Sequence, residues 1–234
     1  MASISHRVSI AWLPAPPSEP TSTVVLTSPG RRFVDVRILQ PLSTISNSSS
    51  DSDLDWALAG TSSSTPVAEG VADCVWRHWV DSRDDAADNA AADSGRNTDQ
   101  PDGTVLETGA MVNPTTGQVQ SYEEVWRDDD RALAGSRCVV LQHEEASEGR
   151  GMAMVLGPYC QGIMRTRDGG VTVERWQKET AEEKGKAAWK LVFRHGPGEL
   201  PCAALFEGES SLEAGEYLVD GANRRWTVVE AAQA

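Results

Sequence analysis

The chain has 234 residues, with 21 Lys and Arg against 35 Asp and Glu, a formal net charge of −14 and a pI near 4.7. That length suits one large domain or two smaller ones, and the negative charge excludes a nonspecific nucleic-acid binder, which needs a cationic face to displace counterions. It also disfavours docking on an anionic membrane surface.

In chain order, the first pattern has period two. Val8, Ile10 and Trp12 alternate with Arg7, Ser9 and Ala11, and Val34, Val36 and Ile38 alternate with Asp35 and Arg37. Alternation of this kind sends one face of a strand to a core and the other to water. Ser28-Pro29-Gly30 supplies turn chemistry between the two. Ser43 to Asp53 is dominated by serine and is expected to be a loop, while Asp81 to Asp102 is rich in Asp, Ala and Asn. The latter has too little apolar surface to order itself and is expected to be an unordered insertion. Asn113-Pro114-Thr115-Thr116-Gly117 reads as a turn, Ser121 to Arg127 as a helical turn or a strand, and Asp128 to Ser136 as a hinge. Beyond it, Met152, Met154 and Leu156 share a face, as do Trp189, Leu191 and Phe193, with turns at Asp168-Gly169-Gly170 and Asp220-Gly221. Lys178 to Ala188 has helical composition but no apolar stripe. Short strands at such intervals imply an all-β chain, a barrel or a sandwich.

Cys74, Cys138, Cys160 and Cys202 are scattered without a C-x-x-C pair and are expected to be reduced, buried thiols rather than a disulfide framework or a zinc site. Met1 to Trp12 lacks the unbroken apolar run of a signal peptide, and no run of about 18 apolar residues occurs, so a cytoplasmic chain, possible also in the nucleus, is expected. No dinucleotide or phosphate-loop glycine motif is present, and Gly208-Glu209-Ser210-Ser211 lacks the second glycine of a nucleophile elbow. No metal and no cofactor are expected. The eight tryptophans are the most informative residues, because inward-facing aromatics in a barrel either fill it or line a cavity. Trp76 and Trp79, three apart, are expected on opposite faces of a strand.

Several strings carry more than composition: Asp55-Trp56-Ala57-Leu58-Ala59-Gly60-Thr61, His78-Trp79-Val80-Asp81-Ser82, Glu107-Thr108-Gly109-Ala110 and Tyr122-Glu123-Glu124-Val125-Trp126. Val155-Leu156-Gly157, Gln161-Gly162-Ile163 and Trp226-Thr227-Val228-Val229-Glu230 follow in the second half. In order and spacing these resemble the fungal HRI-one family, from about Val8 to Glu230. The resemblance implies two lipocalin-like antiparallel β-barrels in tandem, one over residues 1–130 carrying the insertions near 43–53 and 81–102, the other over 137–234. It also implies a non-enzymatic interaction protein whose partners are a casein-kinase-one-type kinase and a translocon subunit. No catalytic residue comes with it. The alternative is a binder of a small hydrophobic ligand, or a cofactor-free isomerase or cyclase of fungal specialised metabolism, acting in a barrel cavity. For that alternative the cavity candidates are Trp56, Trp126, Trp189, Tyr122, Glu124, Glu107 and Asp35.

Overall fold

A computed structural model describes residues 1–41, 53–83, 92–179 and 188–234. The first eight strands are β1 (Ser3–Trp12), β2 (Thr21–Thr27), β3 (Arg32–Leu39), β4 (Leu54–Ala68), β5 (Val71–Asp81), β6 (Ala92–Asp99), β7 (Val105–Val112) and β8 (Val119–Asp128). Each pairs antiparallel with the next, and β1 pairs with β8, so they close into an up-and-down, lipocalin-like barrel. Bulges at Arg7/Ser9, Arg37/Ile38, Ala59/Gly60 and Pro66/Ala68 supply the bends that closure needs. Gly60 sits at one of them. A Cβ there would lie 1.9 Å from the Arg77 carbonyl oxygen, so only glycine fits.

After the short helix α1 (Asp130–Leu133) come β9 (Arg137–Glu145), β10 (Gly149–Leu156), β11 (Tyr159–Thr166), β12 (Val171–Glu179), β13 (Ala188–His195), α2 (Cys202–Gly208), β14 (Tyr217–Val219) and β15 (Arg225–Gln233). They form a curled sheet ordered β13-β12-β11-β10-β9-β15-β14. The chain is therefore all-β with two barrel-like units. Among the described residues the second unit is a half-barrel, since β13 and β14 are not paired with each other.

The alternation along β3 has an unexpected sense. The expectation placed its polar face toward water, yet Asp35 and Arg37 are as buried as Val34, Val36 and Ile38. The valines point out of the barrel and the charged pair points into it. Ile4, Val24, Leu26, Val34, Val36, Ala57 and Ala59 from the barrel wall pack on Val140, Met152, Met154, Leu156 and Ile163 of the second sheet, so the largest apolar core lies between the units. Each fully buried aliphatic there contributes about 1.5–3 kcal/mol. Trp76 and Trp79 divide as expected: Trp76 lines the barrel interior, and Trp79 packs against the core between the units.

Two buried polar side chains of the second sheet cross that apolar layer. Gln161 Nε2 donates to the carbonyls of Val24 (2.9 Å) and Val34 (2.8 Å). Arg175, 2% exposed, donates to Gln161 Oε1 (3.1 Å), to the Ser22 carbonyl (3.2 Å) and to the Val36 carbonyl. At the rim, the Glu230 carboxylate accepts from Ser28 Oγ (2.7 Å), the Gly30 amide (2.6 Å) and Arg32 (3.1 Å).

The other face of the second sheet encloses its own core of Val139, Leu141, Val155, Cys160, Met164 and Trp226, covered by Leu205 of α2. All four cysteines are free and buried.

The stretch 81–102 needs correction. Ala92–Asp99 within it forms β6, an integral wall of the barrel. Its sequence lacks apolar alternation because the interior it faces, through Asp93 and Asn97, is polar. Residues 84–91, and 43–52 of the serine-rich stretch, lie outside the described residues.

Candidate functional site

An up-and-down barrel of eight strands has an interior just wide enough to fill with side chains or to hold one small ligand. This one is partly filled. A cavity of about 240 Å³ opens toward the end of the barrel marked by the β2–β3 turn and the start of β1. Its wall has an apolar part, including Val25, Phe33, Leu58, Trp76, Met111 and Trp126, and a polar part of hydroxyl, carboxyl and guanidinium groups.

The floor is an ion-pair network. Arg37 donates through Nε (3.0 Å) and Nη2 (2.8 Å) to one oxygen of Asp35, and its Nη1 lies 3.6 Å from Glu124. Glu124 also accepts from Arg7 (2.7 Å), which binds Glu19 and Thr21 in turn. The carboxylates around Arg37, Asp35 above all, hold its charge firmly against the cost of burial and raise its pKa. Beneath lies Trp56, with the guanidinium carbons of Arg37 and Arg83 at 4.8 and 4.5 Å from its ring centroid and its Nε1 donating to Asp81 (2.8 Å). His78 completes this end. Burial opposes its charge, but hydrogen bonds to Asp81 (3.0 Å) and Asp93 (3.1 Å) outweigh that and raise its pKa to about 9.

One wall carries a strained pair. Glu107 on β7 and Glu124 on β8 are directly opposite in register, an unfavourable position for like charges. Burial, and then repulsion from Glu124, push the Glu107 carboxyl up to about 8, although Tyr122 donates to it (2.8 Å). Tyr122 is itself held protonated by burial and by Glu107. Its ring occupies the space a side chain would take at Gly109, where a Cβ would meet it at 2.7 Å. A protonated carboxyl beside a carboxylate can both donate to and accept from a bound molecule.

Three atoms around the cavity have no hydrogen-bond partner among the described residues: Asp35 Oδ1, Asn97 Oδ1 and Trp126 Nε1. Buried polar atoms are normally paired, and each orphan costs about 1–3 kcal/mol; these three are closed off from the cavity itself. No group of three or more His, Cys, Asp or Glu is placed to hold a metal among the described residues.

Of the seven candidate positions, Asp35, Glu107, Tyr122, Glu124 and Trp126 meet around this cavity. Trp56 lies under its floor, packed with Phe33 and Leu58. Trp189 is not brought there: it stacks on Phe206 in the second unit, with centroids 4.6 Å apart. Sequence reasoning missed Arg7, Arg37, His78 and Asn97. No signal in the sequence marks Asp35 and Arg37 as enclosed, because polar residues alternating with valines are equally the pattern of a strand with one face in water.

Comparison with known proteins adds a family. A family model described as Protein HRI1 matches residues 3–230. The chain is similar over 99% of its length, and 99% of the other's, to the crystal structure of the uncharacterized protein YLR301w of Saccharomyces cerevisiae, with a TM-score of 0.78 and 18% identity. At that identity the likeness shows the fold alone. No curated protein matches at a significant level.

Proposed function

The chain belongs to the HRI1 family, and from that premise we propose that it is a binding protein whose first barrel, over residues 1–130, takes up one small molecule, with the unit over 137–234 as its support. The single observation that carries this reading is a partly open barrel cavity of about 240 Å³ whose wall combines aromatic and aliphatic side chains with hydroxyl and carboxyl groups. At about 30 Å³ per water-sized group, 240 Å³ takes a ligand of on the order of eight non-hydrogen atoms. Apolar side chains would hold its body and the hydroxyl and carboxyl groups of the wall would fix its orientation.

The test is a panel of amphipathic molecules of that size, read by intrinsic tryptophan fluorescence. Members that bind should quench or shift emission from Trp76 and Trp126, which line the cavity. Ser62→Trp, which fills part of the wall, should weaken binding at least tenfold while leaving the fold intact by circular dichroism. A flat response from every member would end the proposal.

A second reading concerns protein partners of the kind the family resemblance implies, a casein-kinase-one-type kinase and a translocon subunit. The net charge of −14 favours it, because an acidic exterior suits a basic partner face. Both readings are compatible with a chain in the cytoplasm or nucleus. No helix among the described residues is long and apolar enough to cross a membrane. Pairwise binding measured at low and high salt tests this reading, and no binding at low salt removes it.

A further inference from the structure

Resting on the reading of the first barrel as a ligand chamber, we infer that Glu230 of the second unit is a positioning residue for it, fixing the turn that frames its mouth. The β2–β3 turn and the strand ends beside it supply Thr27, Arg31 and Phe33 to the chamber wall. The turn is tight: the Arg31 amide donates to the Ser28 carbonyl (2.9 Å), and the Ser62 amide of β4 donates to the Arg31 carbonyl (2.8 Å). Arg31 has φ 65°, a left-handed backbone that a residue with a Cβ holds only against strain. Glu230 binds the turn on both sides of that strained residue. One carboxylate oxygen accepts from the Gly30 amide (2.6 Å), and the other accepts from Ser28 Oγ (2.7 Å) and from Arg32 (3.1 Å). The Glu230 side chain is only 11% exposed, and hydrogen bonds to an ionised acceptor are roughly twice as strong as neutral ones. At Gly30 a Cβ would fall 2.6 Å from Glu230 Oε2, so the carboxylate rests directly on bare backbone.

The carboxylate is carried by a rigid element. Glu230 follows the β15 bulge at Val228/Glu230, and its neighbour Val229 packs against the apolar core between the units. Access to the chamber of the first unit is therefore set from the second. Without Glu230 the turn loses its outside contacts, Arg31 relaxes from its left-handed backbone, and the mouth widens. Cys74 of β5 makes that change visible, because it lines the chamber. It is 8% exposed, whereas Cys138, Cys160 and Cys202 are 0% exposed. Burial pushes the Cys74 thiol pKa up and the nearby Arg31 charge draws it back, which puts this thiol within reach of the turn's own side chain.

The experiment is thiol labelling of the full chain with methyl methanethiosulfonate, a small neutral probe, followed cysteine by cysteine by mass spectrometry. Glu230→Ala should speed labelling of Cys74 at least tenfold, while Cys138, Cys160 and Cys202 stay unlabelled over the same interval. Glu230→Gln, which still accepts from the Gly30 amide, should return the rate to within threefold of wild type. Should Glu230→Ala fail to fold, Gly30→Ala serves instead: its backbone is not left-handed, and the added Cβ displaces the carboxylate. An unchanged Cys74 rate in the folded variant overturns the inference. So does labelling of all four thiols together, which marks loss of the fold and not an opened mouth. A flat fluorescence panel beside accelerated labelling removes the ligand and leaves Glu230 setting the mouth. Bound panel members beside an unchanged rate do the reverse.

Discussion

Replacing Arg175 with methionine should lower the stability of the whole chain by about 2–4 kcal/mol, even though the substitution removes a buried charge. Burial brings the Arg175 pKa down to about 10, so the charge itself is carried at a cost. Its hydrogen bonds, however, satisfy Gln161 Oε1 and the carbonyls of Ser22 and Val36 inside a layer that excludes water. Truncation strands those acceptors. For a chain of this size the loss corresponds to a fall in melting temperature of roughly 4–16 °C. Scanning calorimetry should show one transition, because the apolar core belongs to both units. A change below 1 kcal/mol, or two separated transitions, would contradict a shared core.

Glu107→Gln should have the opposite sign and depend on pH. The folded chain holds the Glu107 proton up to about pH 8, whereas the unfolded carboxyl releases it near 4.5. The folded state therefore binds the extra proton in that interval, and wild-type stability falls as pH rises from 4.5 to 8. Gln retains an acceptor for the Tyr122 hydroxyl and cannot ionise against Glu124. At pH 8.5 the variant should be more stable than wild type by on the order of 3 kcal/mol, and at pH 4.5 the two should converge. Denaturant titrations at the two pH values measure this. A difference that does not change with pH would mean that Glu107 ionises normally in the barrel.

The all-β class was legible because period-two alternation shows in β1, β3, β10 and β13, and the closed form because the residue blocks around Gly60, Gly109 and Gly162 resemble a barrel family. The direction of each face was not legible. A valine at position 34 alternates with Asp35 whether the valine points into a barrel or out of it. Only the second sheet, whose Met152, Met154 and Ile163 arrive from more than a hundred residues away, decides that the apolar face is the outer one. The same inversion hid β6: a strand reading Ala-Asp-Ser-Gly-Arg-Asn-Thr-Asp looks unfit for a core, yet suits a polar chamber. Trp189 misled because an aromatic on an alternating strand fits either barrel. The link between Glu107 and Glu124 was invisible for a simpler reason, since register between β7 and β8 is a property of the paired strands and not of either alone.

The most direct measurement is the indole N–H region of a nitrogen-edited NMR spectrum, recorded during titration with a bound panel molecule and assigned with Trp126→Phe. The Trp126 Nε1 proton has no partner, whereas the indole N–H groups of Trp176 and Trp226 already donate to Glu174 and Asp220. A polar ligand chamber predicts that the Trp126 resonance moves to saturation with the ligand while those of Trp176 and Trp226 stay in place. A stationary Trp126 resonance under saturating ligand would contradict it.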